Sequence, residues 1–301
     1  MKIKKITFTI KSLLVGLFSI ISVSAFSQKT DTIRVSTIDE LFEAIASNKV
    51  ILMAEGNYDI SKLDLDKKTN SAKMQIIDYT DDRELLISGV SNLKIIGIGK
   101  KQSKIFTTNL RVTVLSFKNC KNITIDNINA GHKGGKGEHS CQKDANVIDI
   151  YNSENFAIIN SILYGSGYIG IYAVNTKKIS LIKTTITECS GELLLLDNCM
   201  NTTADSCIFS KTNGGIFIRN CLNLTISNSE ISENIMQAYV DDNGNALFTY
   251  LFDIAASSNI KLIKSHIESN TASYLVKNSQ LLNIDSDTDL SDNKIIGNFE
   301  N

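Results

Sequence analysis

The sequence predicts an all-β fold, a single-stranded parallel β-helix of about eight coils entered through a short N-terminal capping helix. Three observations predict it. First, one phrase recurs: apolar, any, apolar, any, Asn, any, any, Asn, apolar, any, apolar. Residues 148–158 and 216–226 follow it throughout, and 194–204 depart only at Thr202. Second, aligning the copies puts Asn119, Asn152, Asn175, Asn198, Asn220 and Asn278 in one column, interrupted by Ala256, with steps of 33, 23, 23, 22, 36 and 22 residues. A second column, three residues on, holds Asn122, Asn155, Asn201, Asn223 and Asn259. Third, the residues between alternate with period two, as in strands with one buried face. The inward set before the first column includes Ile148, Ile150, Leu194, Leu196, Ile216 and Ile218. After it come Phe156, Ile158, Leu224 and Ile226, and a third set is Leu163, Ile186, Phe209, Ile231 and Ile267. Each coil is therefore three short strands, stacked in parallel on the next coil about 4.8 Å away. A leucine-rich repeat has a similar period and an Asn column but one strand per repeat. Amides of the first column are placed to stack at the bend between the first two strands, and the second column is expected to be the less buried.

In chain order, residues 1–27 read as a cleaved signal peptide. Lys2, Lys4, Lys5 and Lys11 precede an apolar stretch from Ser12 to Val23, and Ala25-Phe26-Ser27 offers a small-x-small cleavage site. The stretch is short for a membrane span, and losing four lysines takes the net charge from −1 to −5. This predicts an exported protein with no membrane span after cleavage, one domain over 28–301, and no nucleic-acid partner on bulk electrostatics. Residues 37–48 read as an amphipathic helix with a Thr37–Glu40 capping box, covering an end that would otherwise expose core and strand edges. Residues 50–58 are expected as the first strand segment, 61–83 as a polar excursion, and 85–95 as an early coil in which Gly89 replaces the bend Asn. The chain has no Pro, which suits unbroken ladders.

The run Glu84-Leu85-Leu86-Ile87-Ser88-Gly89-Val90-Ser91-Asn92-Leu93-Lys94-Ile95 resembles the opening coil of exported bacterial right-handed parallel β-helix repeat proteins. Gly131-His132, Cys141 and Leu163-Tyr164-Gly165-Ser166-Gly167 are similar to a further pattern in one uncharacterised branch of them, which usually has Cys where this chain has Ser166. If that branch pairs this Cys with the one at position 141, the pairing is absent here. The resemblance spans roughly residues 35–300 and implies a right-handed coil of the pectate-lyase superfold, whose members include polysaccharide lyases and hydrolases. Fold alone carries no activity across.

Two repeat steps are long, and their extra residues, about 131–145 and 235–250, fall after the third strand. Both insertions should leave one side of the solenoid, four steps or about 19 Å apart. The floor between them is expected to be the outward face of the third strands: Ile162 and Tyr164, Thr185 and Thr187, Ile208 and Ser210, Glu230 and Ser232, His266 and Glu268. Glycoside hydrolysis needs two carboxyl groups across the scissile bond, and a lyase needs a base and a cation. The middle of this floor has neither, and nothing matches the acidic triplet and His-Gly strand of polygalacturonase-like enzymes. Two polar clusters remain. One is His132, Glu138, His139 and Cys141 with Tyr164, too irregular in spacing for a metal site. The other is Glu230, His266 and Glu268, with Asp241, Asp242 and Asn243 in the second insertion. The candidate catalytic residues are Glu230, His266 and Asp242, and the candidate binding residues Tyr164, His132, Glu268 and Asp241, with no cofactor or metal. Two functions follow: a groove that holds a polysaccharide or other glycan without turnover, or a carbohydrate-active lyase or hydrolase. The absence of Trp leaves stacking to Tyr164 and Tyr168. Of the six cysteines, Cys207 is expected in the core, Cys199 and Cys221 stack in adjacent coils too far apart for usual disulfide geometry, and Cys120 lies three steps below Cys199. Cys141 and Cys189 are loop or strand-end thiols.

Overall fold

A computed structural model describes residues 30–64, 66–76, 82–134, 145–165, 167–236, 239–240 and 246–300. The chain winds as a right-handed parallel β-helix. In each coil the chain crosses a first, a second and a third sheet in turn, and among the described residues these three sheets hold ten, ten and eight strands. One coil shows the pattern: Ile171–Val174 in the first sheet, Lys177–Ile182 in the second, Thr185–Thr187 in the third. Each strand pairs in parallel with its equivalents in the coils before and after, as Ile171 does with Ile148 and Leu194. The predicted inward residues form one continuous buried core, in which the Phe117 and Phe156 rings meet edge to face at 4.9 Å. Burial of each such side chain stabilises by roughly 1.5–3 kcal/mol.

The Asn columns have a backbone cause. Asn119, Asn152, Asn175, Asn198, Asn220 and Asn278 all sit at φ between 49° and 56°, and Gly89 and Ala256 occupy the same column at 67° and 48°. The second column, from Asn48 and Asn92 to Asn259, is left-handed too. Asn tolerates this region better than other residues with a Cβ, so each coil can turn sharply on one residue. Amide stacking is present but broken in the first column. Asn175 donates to Asn152 at 3.1 Å and Asn198 to Asn175 at 2.6 Å, whereas Asn220 turns to Asp197. The second column stacks more continuously, from Asn92 on Asn48 to Asn259 on Asn223, with a break at Lys178. No Asn of either column is buried: the first is exposed except for the half-buried Asn278, and the second mixes exposed and half-buried residues, so the first is not the more buried of the two.

The buried ladders lie elsewhere. One residue past the first column stand Cys120, Ser153, Thr176, Cys199, Cys221 and Ser257, all buried, and the amide of one coil donates to the side chain of the next: Cys120 to Ser153 at 3.0 Å, Cys199 to Cys221 at 3.4 Å, Cys221 to Ser257 at 2.9 Å. Cys120, Cys199, Cys207 and Cys221 are free thiols, and burial pushes the Cys207 thiol up to about 11, so it stays protonated. The bend from third to first sheet carries a true asparagine ladder. The amides of Thr212, Asn234 and Asn270 donate to the side chains of Asn234, Asn270 and Asn293, each at 3.1 Å, and Asn234 and Asn270 are fully buried.

The helix Ile38–Ala44 has the predicted capping box, with the Glu40 amide 3.1 Å from Thr37 Oγ1, and buries Ile38, Leu41 and Phe42. It is preceded by a strand the periodicity did not signal, Asp31–Val35, which pairs with Lys49–Met53 and opens the second sheet. Within the expected excursion, Ala72–Ile76 runs antiparallel to Arg83–Ser88 and edges the first sheet. No described helix is long and apolar enough to cross a membrane. The signal-peptide expectation falls outside the described residues.

Candidate functional site at the corner of the third and first sheets

Both insertions leave where the chain passes from third to first sheet: after Ile128–His132 and before Ile148–Tyr151, and after Glu230–Ser232 and before Tyr250–Ala255. The ends of both insertions therefore lie at the corner where two outward faces meet.

On the third-sheet face the predicted register holds. Ile162, Thr185, Ile208, Glu230 and His266 form one outward column, and Tyr164, Thr187, Ser210, Ser232 and Glu268 the other. The Thr187 and Ser210 hydroxyls bond at 3.3 Å, Tyr164 is half-buried, and Ile208 and Glu268 are exposed. Burial holds the Tyr164 phenol above its usual range. Two expectations change. Glu230 faces His266 in register, but its carboxylate accepts from Ser232 Oγ at 2.5 Å, and His266 Nδ1 lies 3.8 Å from the carboxylate of Asp289 one coil further on. Both partners of that ion pair are exposed, which screens it. His132, expected as a surface binding residue, is fully buried: it ends a third-sheet strand, and its Nε2 sits 2.9 Å from the Val112 carbonyl. Burial holds its imidazole below the usual range, hence neutral. Asp241, Asp242, Asn243, Glu138, His139 and Cys141 lie outside the described residues.

The first-sheet face is different. Its outward columns read Ser116, Asp149, Tyr172, Leu195, Phe217 and Asp253, and Lys118, Tyr151, Val174, Asp197, Arg219 and Ala255. Tyr151, Tyr172, Leu195 and Phe217 are half-buried and make an aromatic and aliphatic stripe along the solenoid axis. The Tyr151 and Tyr172 rings meet edge to face at 5.7 Å, and the Arg219 guanidinium lies 5.9 Å from the Phe217 ring centre. Such a face offers flat apolar surface beside a cation.

At the N-terminal end of the stripe the structure brings together two carboxyls that sequence reading missed. Asp149 and Glu84 are only 5% and 7% exposed. Asp149 accepts from Asn146 Nδ2 at 2.8 Å, Thr113 Oγ1 at 3.2 Å and the Tyr151 hydroxyl at 3.3 Å. Glu84 accepts from Gln75 Nε2 at 2.7 Å and is bonded to the hydroxyls of Thr113 and Ser116. Burial, reinforced by the charge of Glu84, pushes the Asp149 carboxyl up to about 7, and burial raises Glu84 as well. The Tyr151 phenol is also raised, first by burial and then by Asp149. A carboxyl poised near neutrality is what general acid catalysis requires, yet both Asp149 oxygens are occupied and covered. Glu192, 8% exposed, is a third buried acid near this face. Burial raises it, Arg219 opposes that, and its Oε2 has no hydrogen-bond partner. Among the described residues no three His, Cys, Asp or Glu side chains converge as a metal site.

The family model described as right handed beta helix region matches residues 90–251 and 146–301, and the chain belongs to that family. Among solved structures it is similar to pectate lyase from Xanthomonas campestris (12% identity, TM-score 0.49, 91% of this chain and 83% of that one). It is similar to alginate lyase from Paenibacillus sp. strain FPU-7 (13%, 0.49, 90% and 97%). It is also similar to PfbA, a surface adhesin of Streptococcus pneumoniae (14%, 0.49, 82% and 64%). No curated protein matches it in sequence.

Proposed function

We propose that this protein binds a polysaccharide or other glycan at the corner of the third and first sheets, without turning it over. Export through residues 1–27, with the mature protein secreted or periplasmic, belongs to the same reading. The observation that carries it is the first-sheet stripe of Tyr151, Tyr172, Leu195 and Phe217, half-buried, at one-coil spacing, beside Arg219. Sugar rings stack on such surfaces through their C–H faces, and hydroxyls find partners at Arg219 and Asp197. The third-sheet face, with Tyr164, Glu230, His266 and Glu268, would form the opposite flank, and Asp241 and Asp242 of the second insertion stay candidate binding and catalytic residues. Retardation of the full-length protein in gels cast with a panel of neutral and acidic polysaccharides tests this. Binding weakened by Tyr172→Ala or Phe217→Ala supports it. No retardation by any glycan, or retardation untouched by either change, removes it.

A second reading, a carbohydrate-active lyase or hydrolase, is favoured by one observation: the exposed His266–Asp289 pair beside Glu230. Release of reducing ends or unsaturated product, lost in His266→Ala or Glu230→Gln, would establish it.

A further inference from the structure

Residues 109–113 join the third-sheet strand Ser103–Thr107 to the first-sheet strand Leu115–Lys118. Successive residues of this segment are tied down from different sides. Asn109 Nδ2 donates to Asp82 at 2.7 Å, the Val112 carbonyl is held by His132, and the Thr113 hydroxyl lies between Asp149 and Glu84. Val112 and Thr113 are buried, while Leu110 remains 38% exposed.

The Thr113 hydroxyl carries one hydrogen and bonds to two carboxyls. If both carboxyls were ionised, the hydroxyl could donate to one and would turn its lone pairs on the other. One proton resolves this. Thr113 donates to Asp149, and a protonated Glu84 donates to Thr113, or the same chain runs in reverse. The other hydrogen bonds to the pair come from neutral amides and hydroxyls of Gln75, Ser116, Asn146 and Tyr151. They can accommodate one buried charge far better than two.

We propose that segment 109–113 is a proton-controlled clasp, closed over this end of the first-sheet face while the Asp149–Glu84 pair holds a proton and loosened when the pair loses it. The Tyr151 hydroxyl donates to Asp149 and its ring packs on Tyr172, so loosening reaches the aromatic stripe. The clasp stands whether or not that stripe binds a glycan.

Charged and titratable groups around it, among the described residues, include Asp149, Glu84 and Tyr151 within the cluster, Tyr172 against Tyr151, Asp82 and His132 against the segment, Arg111 on it, and Arg83, whose guanidinium bonds Asp66 at 3.1 Å. The signs are opposite for the two principal ones. Asp149 is raised from 3.8 to about 7, so its contribution to closure is complete below about 4 and is lost as pH rises to about 7. His132 is lowered from 6.5, so its contribution is present above that value and lost as pH falls. Removing one carboxyl therefore isolates the first limb.

Hydrogen exchange of peptides covering 105–116 in the full-length protein, corrected for intrinsic rates, reads the clasp directly. Asp149→Asn, an uncharged isostere, is expected to exchange like the wild type at pH 4.5 and to be at least tenfold better protected at pH 8. Glu84→Gln should shift the ratio in the same direction. A ratio of variant to wild type that does not change with pH in either variant overturns the proposal. Should both variants fail to fold, carboxyl carbon NMR of the wild type decides. An inflection between pH 5.5 and 8 at either Asp149 or Glu84 upholds the shared proton, and inflections near pH 4 at both overturn the proposal.

Discussion

The outward faces of the first and third sheets share a corner, a coil spacing and two bordering insertions, yet they are chemically unlike. The third-sheet face is short-chained and polar in its middle, with Thr185, Thr187 and Ser210, and at its C-terminal end carries Glu230, half-buried, and His266 and Glu268, both exposed. The first-sheet face is aromatic and aliphatic in its middle and keeps two buried acids, Asp149 and Glu84, at the N-terminal end, while Asp197 and Asp253 further along are half-buried. In a solenoid every face is equally available to the backbone. Backbone geometry thus cannot say which face works, and only the side-chain inventory can. Exposed charges cost nothing to keep and imply little. Buried carboxyls and half-buried rings facing outward cost stability, and that cost calls for a role.

The sharpest test of the comparison is at the shared corner. Asn270 is fully buried and its Nδ2 donates to the Ile231 carbonyl at 2.7 Å and to Asn293 at 2.9 Å, while its Oδ1 accepts from Asn234. Asn270→Ala strands several buried backbone groups and should cost about 2–4 kcal/mol in a urea melt. A loss near zero would mean that the two faces do not depend on a common corner.

The next effect separates the faces themselves. Tyr172→Ala and Phe217→Ala should each weaken glycan binding about tenfold, or ~1.4 kcal/mol, in titration calorimetry. Thr187→Ala and His266→Ala should change affinity less than about twofold. The reverse ranking would move the binding face to the third sheet.

A smaller effect tests the backbone account of the exposed columns. Asn198→Ala places a Cβ without a polar tip at φ 52° and should cost about 1 kcal/mol. Asn198→Gly should cost less, because glycine adopts that φ freely, as Gly89 does in the same column. Urea melts that rank the glycine variant below the alanine variant would show that amide stacking, not left-handed backbone, selects Asn. Smallest of all, Asp289→Asn should leave stability within about 0.5 kcal/mol, since its ion pair with His266 is open to solvent. A larger loss would make that end of the third-sheet face more than a solvated edge.

The repeat, its three alternating strands, the capping box of Thr37 and Glu40, and the bends at the two Asn columns were all written in the sequence by itself; that those bends are left-handed, and that Lys183, Glu188 and Ser206 turn in the same way, was not. Each is set by one residue and its near neighbours: a side chain points in or out by parity, and a recurring Asn marks a bend. What the tertiary structure alone decided is which outward side chains see water. Asp149 stands between Ile148 and Ile150, and parity sends it outward, where a sequence reading leaves it solvated. Segment 109–113, an irregular stretch with no repeat to place it, lays Thr113 over Asp149 and Glu84 and makes both acids interior. His132 was displaced from expectation in the same way, drawn under the Val112 carbonyl, and Asn270, which no repeat column marked, is carried into a ladder across three coils. The physical reason is that strand parity is a local property, whereas desolvation depends on a bend or loop arriving from another coil.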